Sequence, residues 1–140
     1  MSVINMQTMR YINLLDRVSR VKTTKCFVYN NVIIFAVPSS FVSRAIGAGA
    51  ENIRILQGQL GKRVKIISEP NGIGSKDAEK FVSDIVAPIK FKSAEIRDNV
   101  LAISSGGTQN KAGLIGRDKR RLIELEQIVK DVFGLDVRIL

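Results

Sequence analysis

The chain reads as α+β, built from two copies of one plan, each a three-stranded sheet covered by helices on one face. Three observations carry this. The outline of residues 44–56, RAIGAGAENIRIL, returns at 113–125 as GLIGRDKRRLIEL, with a glycine turn ahead of an apolar, helix-like run. With Gly47 set over Gly116, YNNVIIFAV (29–37) lies over RDNVLAISS (97–105), and GKRVKII (61–67) over GLDVRIL (134–140). Ahead of each copy, apolar residues recur at helical spacing.

The elements follow in order. In RYINLLDRVSRV, Tyr11, Leu14, Leu15, Val18 and Val21 share one helical face; in KDAEKFVSDIVAP, Ala78, Phe81, Val82, Ile85 and Val86 do the same, with Pro88 marking the end. A hairpin follows each helix. Its turn is Asn30-Asn31 or Asp98-Asn99, residue types that tolerate the positive φ of tight hairpins. A short helix then starts in the first copy at Ser39 or Ser40, either an N-cap after Pro38. Past the glycine turn, a longer helix turns Ile53, Leu56 and Leu60 to the core. In the second copy Leu122, Leu125, Val129 and Val132 do so, with Ile128 beside them. Eighteen residues separate Gly116 from Gly134 and fourteen separate Gly47 from Gly61, so the second helix is expected to be about one turn longer. A last strand closes each copy. The stretch EPNGIGS (69–75) is turn chemistry throughout and reads as a linker, giving domains at 1–70 and 75–140. Alternation in VKIIS and IKFKSAEI predicts that the sheet face away from the helices is partly wet. Phe27, Phe35, Phe81 and the lone Cys26 lie in apolar runs and are candidate core.

A turn between two helices exposes backbone N–H groups, and the second helix adds the positive end of its dipole. A nucleic-acid backbone can press against such a turn only where no side chain intervenes, which favours glycine and alanine. Ile46-Gly47-Ala48-Gly49-Ala50-Glu51-Asn52-Ile53 resembles the I-G-x-x-G-x-x-I signature of KH domains, and Ile115-Gly116-Arg117-Asp118-Lys119-Arg120-Arg121-Leu122 has the same spacing. The extra helix and strand ahead of the motif resemble the type II (prokaryotic) KH form. Two such copies in tandem are similar to the archaeal NusA-like transcription termination/antitermination factors. The resemblance covers roughly residues 8–140. It implies clamping of single-stranded RNA by the loops, through Arg44, Ile46, Gly47, Ala48, Gly49, Ala50 and Arg54 in the first copy. In the second it implies Ile115, Gly116, Arg117, Asp118, Lys119, Arg120 and Arg121. The fourth motif position departs from glycine, being Ala50 and Lys119. If the backbone there is already helical, both residues fit without strain. The first loop lacks its own cation, and Arg44 and Arg54 are the nearest substitutes; the second is rich in charge but bulky.

The chain carries 22 basic and 13 acidic residues, a net charge of +9. Residues 1–70 hold 10 basic and 3 acidic residues, +7; residues 71–140 hold 12 and 10, +2. This surplus favours a polyanionic partner. There is no histidine and no tryptophan, and the one cysteine lies among apolar residues, so the usual base–nucleophile pairs and zinc sites are missing. There is no phosphate-binding G-x-x-x-x-G-K-[ST] loop. Asp77/Glu79 and Glu124/Glu126 fit exposed helix faces better than a metal site. No enzyme activity, cofactor, metal or small-molecule substrate is expected. With two tyrosines and six phenylalanines there is little to stack bases on, so recognition would rest on backbone clamping and an apolar groove. No apolar run nears the roughly 18 residues of a membrane span, and MSVINMQTMRYINLL has no basic stretch ahead of a sustained apolar one. A cytoplasmic protein without a membrane partner is expected. Two alternatives keep the fold: a ribosome-assembly or translation factor, and an interaction module docking on RNA polymerase with vestigial RNA sites.

Overall fold

The computed structural model describes residues 5–140. The chain divides into two compact units, one running to Glu69 and the other from Pro70 to Leu140. The first contains α1 (Met6–Ser19), β1 (Lys25–Tyr29), β2 (Val32–Val37), α2 (Val42–Ile46), α3 (Glu51–Leu60) and β3 (Arg63–Ser68). The second repeats the order with α4 (Ser75–Val86), β4 (Ser93–Arg97), β5 (Val100–Ser104), α5 (Thr108–Ile115), α6 (Arg120–Phe133) and β6 (Asp136–Ile139). α6 has 14 residues against 10 in α3, the added turn expected from the glycine spacing.

In each unit the middle strand in sequence is also central in the sheet, antiparallel to its hairpin partner and parallel to the last strand. The two-residue hairpin turns allow the antiparallel pair. Asn30 and Asn31 have φ of 50° and 63°, and Asp98 and Asn99 51° and 62°, the paired positive angles such turns need. The parallel pair needs a crossover, which the two helices and their glycine turn supply.

Burial then holds the helices in place. Leu14 and Leu15 of α1 and Leu56 of α3 close over Ile33, Phe35, Val64 and Ile66. Each such side chain contributes about 1.5–3 kcal/mol on burial, so the apolar stripes rather than intrinsic propensity fix these short helices. In the second unit Phe81, Ile85, Leu101, Ile103, Leu125 and Val129 are buried. The Phe81 ring also meets Phe133 edge-on, with centroids 5.7 Å apart.

One local expectation holds in part and two need correction. The far face of the first sheet is wet only at its edges: Arg63 is exposed and Lys65 and Lys25 are half-buried, whereas Ile34 and Ala36 are wholly buried and Ile67 is 6% exposed. The run VIIFAV is apolar at every position of β2, so both of its faces are driven out of water. In β4 the expected alternation holds, with Ala94 buried and Ile96 half-buried between the exposed Glu95 and Arg97. Next, Ser39 and Ser40 do not cap a helix. They open a 3-10 turn, Ser39–Phe41, without a side-chain capping bond, and α2 starts only at Val42. Finally, Asp77 and Glu79 are not idle surface acids. An Asp77 carboxylate oxygen accepts from the Gly74 N–H at 3.1 Å at the start of α4, and Glu79 accepts from the Ala94 N–H at 3.2 Å. With the Ser75 hydroxyl accepting from the Ile96 N–H at 3.1 Å, α4 covers the outer edge of β4.

Candidate nucleic-acid interface

Each helix–helix turn is entered through a glycine in a backbone region open essentially to glycine alone. Gly47 has φ 81° and ψ 163°, and Gly116 has φ 75° and ψ 174°. A Cβ on Gly47 would lie 2.9 Å from Asn52 Cγ and 3.0 Å from the Asn52 backbone nitrogen. On Gly116 it would lie 2.8 Å from Arg121 Cγ. Ligand access is not the whole reason for these glycines. Their first role is to let the chain make the turn at all.

The next residues form 3-10 turns, Ala48–Ala50 and Arg117–Lys119, whose last two positions are left-handed. Gly49 and Ala50 have φ of 60° and 61°, and Asp118 and Lys119 have 55° and 60°. The fourth motif residue is therefore not helical, and alanine and lysine there carry strain of about 1–2 kcal/mol each. The left-handed pair swings the chain into α3 and α6, and neither helix start has a side-chain cap. The first N–H of each helix, on Glu51 and Arg120, closes the 3-10 turn on the Ala48 and Arg117 carbonyls, and the N–H groups that follow have no side-chain cap at the positive end of the dipole. Ala48 and Gly49 stand exposed beside the first, and Arg117, Asp118, Lys119 and Arg120 beside the second.

Each turn is strapped from the following helix. Asn52 Nδ2 donates to the Arg44 carbonyl oxygen at 3.1 Å. Its counterpart Arg121 donates from its guanidinium to the Gly113 carbonyl oxygen at 3.2 Å. Arg121, expected as a phosphate contact, is half-buried and spends one N–H on the fold. Asn52 was missed by the sequence reading, although a polar, weakly helix-forming residue in a helix's first turn beside a glycine is the available signal. The Arg54 guanidinium donates to the Gly49 carbonyl oxygen and so sets a positive charge against the first loop. Arg44 is exposed at the end of α2. Ile46 and Ile53 pack half-buried on the core, and Ile115 and Leu122 are half-buried in the second unit.

Among the described residues no group of three or more His, Cys, Asp or Glu side chains stands together where a metal could be held. Burial pushes the Cys26 thiol up to about 12, so it stays protonated and unreactive at neutral pH. Among the described residues there is no catalytic metal or cysteine cluster. Among the described residues no helix is long and apolar enough to cross a membrane.

No family model matches the chain. Curated relatives described as "Probable transcription termination protein NusA" do resemble it. The protein of that description from Methanocaldococcus jannaschii is 25% identical over 122 residues, covering 85% of this chain and 64% of that protein. For Halococcus morrhuae the figures are 24% over 130 residues, 91% and 90%. For Methanococcus vannielii they are 23% over 94 residues, 67% and 51%. This chain is distantly related to NusA-family, KH-domain-like proteins. The match spans less than two thirds of the first and third of these relatives. The crystal structure of APE1850 has a TM-score of 0.67 at 24% identity, covering 98% of this chain and all of that one. At that identity it establishes the fold alone: two small three-stranded sheets, each packed against helices in a KH-like α+β architecture.

Proposed function

We propose that the chain is a tandem of two type II KH domains, residues 1–70 and 75–140, that binds single-stranded RNA in the cytoplasm. Its role would lie in transcription termination or antitermination, with RNA polymerase as the protein partner. One observation carries this reading. The chain builds the same glycine-entered, left-handed turn twice, and each opens an uncapped helix N-terminus toward solvent. Such a turn offers N–H donors to a phosphate at close range, and the fixed phosphates then determine where the bases lie. The net charge of +9 supplies the long-range attraction. Arg54 brings a cation to the first loop, and Arg117, Lys119 and Arg120 surround the second.

The test titrates single-stranded RNA and a duplex of equal length against the chain over a range of salt. Single strands should bind more tightly, with log K falling by about 0.7 per neutralised phosphate for each unit of log salt. Ala48 and Arg117, both exposed second-position residues outside the positive-φ set, accept aspartate without backbone strain. The double variant Ala48→Asp/Arg117→Asp should lose most of the affinity while its circular dichroism is unchanged. Normal RNA binding by that variant would remove the loops from the mechanism.

A further inference from the structure

We propose that the groove between α1 and the C-terminal end of α3 is a docking site for an acidic, partly apolar peptide segment of a partner protein. The groove encloses about 690 Å³. Leu14, Leu60 and Tyr11 form its apolar floor, and Arg10, Asn13, Arg17 and Gln59 are among the residues of its rim. Gln7 Nε2 donates to the Tyr11 hydroxyl at 2.7 Å, which occupies that ring's polar tip. The rim is left with exposed guanidinium groups. Among the described residues neither Arg10 nor Arg17 has an acidic partner, and both are exposed.

Spacing and charge define the occupant. Arg10 and Arg17 stand seven residues apart on α1, so about 10.5 Å apart along one face. Two carboxylates at that spacing match them, either two turns apart on a partner helix or three residues apart on an extended segment. An apolar side chain between the carboxylates would seat over Leu14 and Leu60. Met6, 82% exposed, stands one turn before Arg10 on the same helix, with a side chain that adapts to varied shapes.

Polarity separates this groove from the glycine turns and favours peptide over RNA. The turns sit at the start of α3, whereas Gln59 and Leu60 sit at its end, about 12 Å away along the axis. That end carries the negative pole and carbonyl oxygens left without helical partners. That pole opposes phosphate and carboxylate alike, so the carbonyls favour the ligand whose backbone brings N–H donors. A peptide brings N–H donors for that wall as well as carboxylates for the arginines. The one aromatic ring in the floor, Tyr11, is 8% exposed and gives no platform for a base.

The test is an NMR titration of the ¹⁵N-labelled full chain with a synthetic helical peptide. The peptide carries two glutamates seven residues apart with leucines between them; a copy with lysines in place of the glutamates and a uridine oligonucleotide are the comparisons. The acidic peptide should shift the amides of α1 and of Gln59 and Leu60. Arg10→Glu/Arg17→Glu should weaken it at least tenfold and let the lysine peptide bind instead. Shifts in α1 caused by the oligonucleotide but not the acidic peptide would overturn the proposal and assign the groove to RNA. Unchanged peptide affinity in the charge-reversed variant would overturn it as well. Loss of RNA binding at the glycine turns bears only on the proposed function, because the peptide titration is read at α1.

Discussion

Asn52 and Arg121 do the same structural work with different chemistry. Each stands five residues after the first glycine of its turn and reaches back eight residues to a carbonyl of the preceding helix, Arg44 for Asn52 and Gly113 for Arg121. The two helices of each copy are thereby tied across a turn that has no side-chain cap of its own. Asn52→Ala should therefore lower stability by about 0.5–1.5 kcal/mol, the worth of one such bond. Chemical denaturation measures it, and an unchanged midpoint would show the strap to be idle.

The left-handed fourth position predicts a gain from restoring glycine. Relief of about 1–2 kcal/mol of strain is partly offset by the looser unfolded chain, about 0.4–1 kcal/mol. Ala50→Gly and Lys119→Gly should each come out more stable by up to about 1.5 kcal/mol. Ala45→Gly, inside α2 where Ala45 is buried, should go the other way by about 1 kcal/mol or more. Opposite signs in urea melts are the readout.

The entry glycines should tolerate nothing. Gly47→Ala and Gly116→Ala both force a side chain into a region worth about 1–3 kcal/mol of strain. Both should be costly, because the Gly47 Cβ meets the Asn52 backbone nitrogen at 3.0 Å and the Gly116 Cβ meets Arg121 Cβ at 3.0 Å and Cγ at 2.8 Å, at the root of a side chain held by its bond to the Gly113 carbonyl. Aspartate at either glycine would distort the turn along with the charge, so these positions report on folding first.

Charge against access is better tested at Gly49, which has 4 Å of open space around its missing Cβ. Its φ of 60° nearly equals the 55° at which Asp118 already sits in the second turn. Gly49→Asp should weaken single-stranded RNA binding about tenfold, or about 1.4 kcal/mol, and Asp118→Gly should strengthen it. Fluorescence anisotropy at one salt concentration decides this. If Gly49→Asp binds normally, the first loop is not where the RNA is held.

Cys26 sets an alkaline limit. Its folded pKa is raised from 9.0 to about 12 by burial, so the folded thiol keeps a proton that the unfolded one gives up. The contribution is complete below about pH 9 and is lost as pH rises toward 12. Stability measured from pH 8 to 11 should fall more steeply for the wild type than for Cys26→Ala.

Much of this was written locally. The hairpins were legible because Asn30-Asn31 and Asp98-Asn99 belong to the few residue pairs that accept positive φ twice in succession. The helix lengths followed from glycine spacing, since Gly61 and Gly134, at φ of 67° and 70°, end helices where other residues would be strained. The doubling of the plan needed only the periodicity. Tertiary structure decided what depends on neighbours distant in sequence. Whether the fourth motif residue is helical or left-handed turns on where α2 and α3 must point to cover the sheet, so Ala50 and Lys119 looked harmless and are strained. Asn52 became a strap only when the turn brought the Arg44 carbonyl within 3.1 Å. The second buried face of β2, and the arginine-rimmed groove where α1 meets the end of α3, likewise arise from packing, which no local pattern encodes.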